Sequence, residues 1–451
     1  MIKTAATVVL WSDEHDGVLL VERSPQLRFF GGFHAFPGGV LEPGDGQGDV
    51  GLDACARREL LEETAIDLQG APLTPLGHFL TPPFAPVRFD ARFFFARAPR
   101  GCVPRVDGSE LVAGSFVRPH EVVARWTRGE IRIAPPVLLL LEFLARDGVE
   151  GLATRVGAIT KRYAEGELPH VRFSPGAILA SLRTPTLPPA TTTNTYVVGH
   201  ERFVVIDPGT PEATEQQRLF ALLRGLMREG RAFDGVVLTH HHPDHIGAVA
   251  ATCATFDVPL LAHARTHDRV EAPGTRRVVL DDGARIALGR APDDSPDFAL
   301  VASATPGHAQ GHLVFRDTRY GALFAGDLVS TLSTIVIDPP EGHMATYWAS
   351  LERAAALAPT LVYPAHGPPA IGGGVLKKTL AHRKEREAKL IDALTRGLTS
   401  EDALLADVYA DVDVRLLPIA ARSLRAGLEK LAEDGVAVER ESTWSPRRLT
   451  S

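Results

Sequence analysis

Seven imidazole and carboxylate side chains, scattered through the second half of a 451-residue chain, limit what it can fold into, because all are metal-ligand types beside turn or small residues. They are His240, His242, Asp244 and His245 in the run Thr239-His240-His241-His242-Pro243-Asp244-His245, then His308 in Pro306-Gly307-His308, Asp327 after Gly326, and His366 in Pro364-Ala365-His366-Gly367. Zinc takes imidazole nitrogen and carboxylate oxygen at about four ligands per ion, and a catalytic ion keeps one position for water. Seven such groups suffice for two ions. The runs Phe203 to Asp207 and Gly235 to Leu238 are short, apolar and β-branched and read as buried strands, so the ligands fall on loops at strand ends. The His-rich run alone also fits a surface metal tract or solvated histidines. Three further ligands in order argue against that.

The order His-x-His-x-Asp-His, single His, Asp, His resembles the metallo-β-lactamase-fold hydrolases over roughly Thr192 to Gly367. The resemblance implies a four-layer αββα sandwich in which His240, His242 and His308 hold one zinc, Asp244, His245 and His366 the other, and Asp327 bridges them, with Asp244 and Asp327 essential to turnover. His241 and Pro243 fill variable positions. Two cations a few ångströms apart lower the pKa of a shared water from about 16 toward neutrality, giving a hydroxide nucleophile without a side-chain base. The implied chemistry is hydrolysis of an ester, thioester, amide or phosphodiester. Asp207, in Ile206-Asp207-Pro208-Gly209, resembles the family's Asp that orients a ligating His through its other nitrogen. A turn-forming Asp fits equally well.

A second motif lies in the first 150 residues. Glu59, Glu62 and Glu63 in Arg57-Arg58-Glu59-Leu60-Leu61-Glu62-Glu63 are spaced i, i+3, i+4, on one helical face. Three close carboxylates favour a hard cation, Mg²⁺ or Mn²⁺, although a solvated acidic face is the alternative, and Arg58 is placed to pair with Glu62. With Phe36-Pro37-Gly38-Gly39 upstream, the segment resembles a Nudix hydrolase box. That resemblance covers roughly Lys3 to Gly148 and implies an αβα sandwich in which Glu59, Glu62 and Glu63 bind a metal, Glu62 and Glu63 serving catalysis on a diphosphate. The box departs from the family pattern twice. Its first acid falls at Asp45 with about five extra residues in the turn-rich run Gly46 to Asp53, and its final Gly is Ala65, a good helix former that would extend the helix. Upstream, Arg23-Ser24-x3-Arg28-x3-Gly32-x3-Phe36-Pro37-Gly38-Gly39 resembles the coenzyme A pyrophosphatase signature. On it Arg23, Arg28, Gly38 and Gly39 would form the cofactor-binding set, the arginines contacting phosphates; exposed arginines on a hairpin read the same. Glu110 is a later acid of this region.

The expected order is a Nudix-like domain over 1–150, a linker or packing segment over 151–190, a metallo-β-lactamase domain over 191–375, and a helical, winged-helix-like tail over 376–451, an α/β (α+β) chain throughout. The prolines between Asp147 and Pro189 mark the linker, and since that stretch is not polar it should pack on one domain. In the tail, Leu398-Thr399-Ser400-Glu401-Asp402 offers a helix N-cap, Ser423 to Gly435 reads as an amphipathic helix and Val436 to Glu439 as a strand. With Leu380-x-His382-Arg383-x2-Arg386-Glu387, Asp338-Pro339-Pro340 and Tyr347 to Leu351, the chain resembles the lactamase-β-like 2 subgroup, linked to endoribonuclease activity and to glyoxalase II thioesterases.

Two substrate classes follow from these resemblances. One is a small-molecule thioester of coenzyme A type; the other is RNA, with the Nudix half as a non-catalytic nucleotide- or CoA-binding module. The net charge of −7 gives no general attraction to nucleic acid, whereas Lys377 to Arg396 carries seven Lys and Arg against three Asp and Glu. Cys55, Cys102 and Cys253 are too few and too scattered for a disulfide scaffold and fit a reducing cytoplasm. No membrane partner is expected: Pro135 to Leu144, the most apolar stretch, is interrupted by Glu142 and falls short of about 20 residues, and Met1 to Trp11 reads as a strand, not a signal peptide. A homo-oligomer is compatible with all of this.

Overall fold

The computed structural model describes residues 2–27 and 30–447. Arg28 lies outside the described residues. Two compact units account for the chain, Met1–Ala180 with Pro292–Ser295, and Ser181–Ala291 with Pro296–Ser451.

The first unit is built on the strand Ile2–Ser12. Its side chains alternate between faces, as the two-residue period of a strand requires. Ala6, Val8 and Leu10 enter one core with Leu52, Cys55, Ala56 and Leu60 of the helix Gly48–Thr64. Val9 and Trp11 enter the other, with Leu138 and Leu141 of the helix Pro135–Asp147 and Val156 of the helix Leu152–Ala164. The strand runs parallel to Arg88–Arg97 and antiparallel to Gly17–Arg23 and Gly38–Val40, so a mixed seven-stranded sheet lies between helices. The span 151–190, read as linker or packing segment, holds a helix and the strands His170–Val171, Ala177–Arg183. Its helix packs on the first unit's core, because Leu152 and Val156 are apolar at i and i+4.

Two expectations about the acidic helix are corrected. The run Gly46 to Asp53 is not a turn leading to the helix, since the helix already begins at Gly48. Ala65 does not extend it either: the helix ends at Thr64, and Ala65 takes the left-handed conformation (φ 57°) with its N–H donating to the carbonyl of Leu61. This is the geometry that normally takes glycine, and a Cβ there costs about 1 kcal/mol. Ala65→Gly is therefore expected to stabilise the first unit by about 1 kcal/mol, seen as a higher urea midpoint for its unfolding transition.

The second unit stacks two sheets. Within this unit the first has the order Arg277–Val279, Leu260–Ala262, Ala232–Val237, Arg202–Ile206, Thr192–Gly199. The second runs Arg285–Gly289, Phe298–Ala304, Leu313–Asp317, Ala322–Gly326, Leu361–Pro364, Ala370–Ile371. Their inner faces meet at Tyr196, 5.2 Å from the rings of both Phe324 and Tyr363. The helix Met344–Ala356 covers the outside of the second sheet through Tyr347 and Leu351. The helix Ala213–Arg228 lies outside the first, where Phe220 meets Phe256, itself against Phe233 of the strand Ala232–Val237.

A tail follows, made of the helices Gly374–Thr395, Glu401–Val408 and Leu417–Glu433 and the hairpin Ala437–Arg440 with Thr443–Pro446. It packs around Leu390, Leu394, Leu404, Leu428 and Trp444. Ser400 caps the second of these helices, its hydroxyl accepting from the N–H of Ala403. The tail also grips the segment Ile335 to His343. Arg383 donates to the carbonyl of Ile335, Ser423 Oγ accepts from the N–H of Ile337 at 3.2 Å, Arg422 pairs with Asp338 at 3.0 Å, and Glu433 lies 3.0 Å from His343. No helix among the described residues is long and apolar enough to cross a membrane.

Candidate metal centre

Each residue of the candidate ligand set follows a strand of the second unit. Thr239 to His245 follows Ala232–Val237, His308 follows Phe298–Ala304, Asp327 follows Ala322–Gly326 and His366 follows Leu361–Pro364. Close backbone packing brings these ends together. A side chain at Gly209 would strike the carbonyl of Asp244, and one at Gly307 the backbone of Tyr347.

The structure gathers all seven groups. His240 Nε2 and His308 Nε2 lie 3.0 and 2.9 Å from His242 Nδ1, so three ring nitrogens converge on one point. Asp244 Oδ2 lies 3.9 Å from His245 Nε2 and 3.3 Å from His366 Nε2. Asp327 stands between the groups: its Oδ1 is 3.6 Å from His245 Nε2 and 3.3 Å from His366 Nε2, and its Oδ2 is 3.5 Å from His308 Nε2. His245 Nε2 and Asp327 Oδ1 are buried with no hydrogen-bond partner. Buried polar atoms are rarely left so, and the donor set is one that zinc accepts.

The outward nitrogens of four of the five histidines, all but His242, are held as metal-ligating histidines require, each by an oxygen that fixes the tautomer. Asp207 Oδ2 accepts from His245 Nδ1 at 2.8 Å, the carbonyl of Val336 from His308 Nδ1 at 2.8 Å, the carbonyl of Thr192 from His366 Nδ1 at 3.2 Å, and Thr239 Oγ1 from His240 Nδ1 at 3.0 Å. Asp207 also accepts from the N–H and hydroxyl of Thr239, at 2.8 and 2.6 Å. Of the two readings open for Asp207, the contact with His245 fits the orienting one and its φ of 50° fits the turn as well.

Electrostatically the two groups differ. Burial, reinforced by neighbouring imidazoles, pushes His240 well below the usual histidine range and His242 down to about 3, so their lone pairs are free. Burial acts the same way on His366, but Asp327 and Asp244 outweigh it and raise that ring to about 10. Asp244, despite burial, is held down to about 2 by His245 and His366. A cation between Asp244, His245 and His366 would take over the positive charge that the imidazoliums carry.

Access is from one side. The His242 side chain is 30% exposed, whereas His245, His308, Asp327, His366 and Asp244 are between 0 and 13%. At that opening stand three residues that sequence reasoning did not assign to a site. His241 Nε2 is 3.5 Å from Glu341 Oε2 and 3.1 Å from Arg269 Nη1, and Arg269 also pairs with Glu341. The only signal was the position of Glu341 directly after Pro339-Pro340. His312 was missed too: wholly buried, it holds Thr305 Oγ1 at 2.8 Å through Nδ1, within the loop that carries His308.

The acids of the first unit are arranged differently. Arg58 forks Asp45 at 2.8 and 2.9 Å and reaches Glu59 at 2.9 Å and Glu62 at 3.0 Å. The residues inserted after Asp45 therefore do not separate it from the acidic helix in space, and Arg58 holds it down to about 2. Among the described residues the sets of His, Cys, Asp and Glu atoms that converge to ligand distance lie in the second unit, so Glu59, Glu62 and Glu63 are not gathered to that degree. Gly38 donates its N–H to Glu63 at 2.9 Å, and a Cβ at Gly39 would overlap the Glu59 carboxylate. Arg23 ends the strand Gly17–Arg23 with its Nε buried and unpartnered. Its charge and that of Glu110 both act on Glu63.

Burial raises Glu63 from 4.5 to about 7. Below pH about 4.5 both folded and unfolded states are protonated and the group contributes nothing. Between there and about 7 the unfolded chain ionises first, so stability falls with rising pH, by on the order of 3 kcal/mol in all. Glu63→Gln is expected to flatten that slope and raise the unfolding midpoint at pH 8 in the absence of divalent cations.

Three family descriptions match this chain: metallo-β-lactamase superfamily over residues 188–366, NUDIX domain over 1–135 and β-lactamase-associated winged helix domain over 400–444. A β-lactamase-like protein 2 homolog of Caenorhabditis elegans is 31% identical over 255 residues, 54% of this chain and 80% of that protein. The chain belongs to the metallo-β-lactamase superfamily, as a metal-dependent hydrolase that also carries a NUDIX domain and the associated winged helix. A hydroxyacylglutathione hydrolase of Aeromonas hydrophila is 34% identical over 175 residues, 38% of this chain and 59% of that one. A β-lactamase domain protein of Burkholderia ambifaria shares the fold, with TM-score 0.51 and 20% identity over 61% of this chain and 93% of its own.

Proposed function

We propose that the second unit hydrolyses a small-molecule thioester at a dinuclear zinc centre, with His240, His242 and His308 on one ion, Asp244, His245 and His366 on the other, and Asp327 between them. The observation that carries this reading is the convergence of three ring nitrogens, those of His240 and His308 within 3.0 Å of His242 Nδ1, beside a carboxylate facing both groups. Two bound cations would lower the pKa of water and polarise the thioester carbonyl. The protein's part is orientation and exclusion. Asp207, Val336 and Thr192 fix which ring nitrogen faces inward, the buried walls keep bulk water out, and the exposed His242 edge admits substrate. The Aeromonas relative, named for hydrolysis of a hydroxyacylglutathione, supports the thioester class.

RNA is the less favoured substrate. The basic residues that made Lys377 to Arg396 look like a nucleic-acid face are largely committed. Arg383 and Arg386 donate to the carbonyls of Ile335 and Val408, Lys384 pairs with Glu352, Lys389 with Glu385 and Arg396 with Asp407.

For the NUDIX unit the reading is a diphosphate site in which Glu59, Glu62 and Glu63 take Mg²⁺ or Mn²⁺ once the Arg58 fork opens, with Arg23 beside Glu63. One experiment tests both units: mass spectrometry of products after incubating the zinc- and magnesium-loaded protein with acyl-CoAs and acyl-glutathiones. Free thiol supports the thioesterase, and 3′,5′-adenosine bisphosphate with acyl-phosphopantetheine supports NUDIX hydrolysis. RNA cleavage without either product would replace the thioester reading.

A further inference from the structure

A cleft of about 480 Å³ adjoins the metal centre, sharing Gly307 and Glu341 with its rim, and is lined further by His263, Arg265, Gln310, His343 and Thr346. Most of its ionisable groups are already matched. Glu341 is neutralised by Arg269. His343 Nε2 faces both oxygens of Glu433 at 3.0 Å, and His263 Nδ1 accepts the N–H of Arg265. Arg265 is the exception. Its Nη1 donates to the side-chain oxygen of Gln310 at 2.6 Å, which orients the guanidinium without cancelling its charge. Among the described residues no carboxylate forms an ion pair with it.

An exposed arginine held by a neutral amide, in a cleft whose other charges are balanced, suits a fixed anionic group, since guanidinium offers paired donors to carboxylate or phosphate. We propose that Arg265, steadied by Gln310, is a specificity residue that receives a carboxylate or phosphate of the substrate's thiol carrier while the scissile bond lies at the metal centre. The inference rests on the hydrolase reading above and deepens it. In open water such a pair would contribute little. A ligand filling the cleft covers the guanidinium, and the contact is then worth about tenfold or more in affinity.

The test is equilibrium binding of non-hydrolysable probes to the zinc-loaded full chain by calorimetry: S-methylglutathione for carboxylates, desulfo-coenzyme A for phosphates, and S-methyl-N-acetylcysteamine as a neutral control. At least one anionic probe should bind more tightly than the control, lose about tenfold in Arg265→Ala and recover part of it in Arg265→Lys. The control should not change. Which anionic probe responds identifies the source of the charge. Equal binding of both anionic probes to wild type and Arg265→Ala, or no preference of the wild type over the control, would overturn the proposal. Turnover is scored separately: charge-dependent binding with no thioester cleaved would sink the hydrolytic reading and leave the anion subsite standing.

Discussion

Asp327→Ala should bring bound zinc from two ions per chain to one or fewer and lower turnover by more than about 100-fold. That floor comes from the cost of losing only an outer partner of a metal ligand, about 10- to 100-fold in affinity or activity. Asp327 stands closer, with one oxygen facing His308 and the other facing His245 and His366. Its removal would take a donor from both proposed ions at once and leave three imidazoles without the buried carboxylate between them. Metal analysis by inductively coupled plasma mass spectrometry on dialysed protein, run beside the thioester assay, checks both halves. Two zinc ions retained by the variant would refute the bridging role.

The second large effect is expected at a residue that would touch neither ion. Asp207 is 2% exposed, sits at φ 50° after the strand Arg202–Ile206 and accepts three hydrogen bonds, from the N–H and hydroxyl of Thr239 and from His245 Nδ1. Asp207→Ala strands all three donors in a dry site, and each buried unsatisfied donor costs about 1 to 3 kcal/mol. The variant should lose roughly 3 kcal/mol of stability, and His245, free to turn, should weaken zinc binding by about 10- to 100-fold. Competition with a chromophoric chelator measures the second effect and urea unfolding the first. Asp207→Asn separates them, because it retains acceptor capacity for Thr239 while giving up the charge beside His245. Unaltered chelator competition in both variants would remove Asp207 from the account.

The seven ligand-type residues were legible because each stands beside a glycine, a proline or a small residue at a strand end, and linear order alone predicts their company. What could not be read was direction. Counting charges along Lys377 to Arg396 gives a basic helix, yet Arg383 and Arg386 turn inward to carbonyls, a fact settled by packing against Tyr347 and Tyr409. Arg269, Glu341 and His241 meet at the mouth of the site from separate loops, with no period or motif to announce it. Ala65 misled for a different reason: helix propensity favours alanine in a helix interior, but the path of the chain after Thr64 demands a left-handed residue whatever the side chain. The helix Leu152–Ala164 was obscured by the prolines and glycines around it, which punctuate the segment without preventing thirteen residues from forming a helix.

The grip of the tail on Ile335 to His343 makes the candidate metal centre depend on chain far beyond its last residue, His366. His308 keeps its tautomer through the carbonyl of Val336, and the residues on either side of Val336 are pinned by Arg383 and Ser423. A fragment ending at Gly367 would contain every candidate ligand and still lack the brace for one of them. Cleavage that freed the tail would be felt first as a slackened ring at His308, so metal retention serves as a gauge of whether the tail is seated.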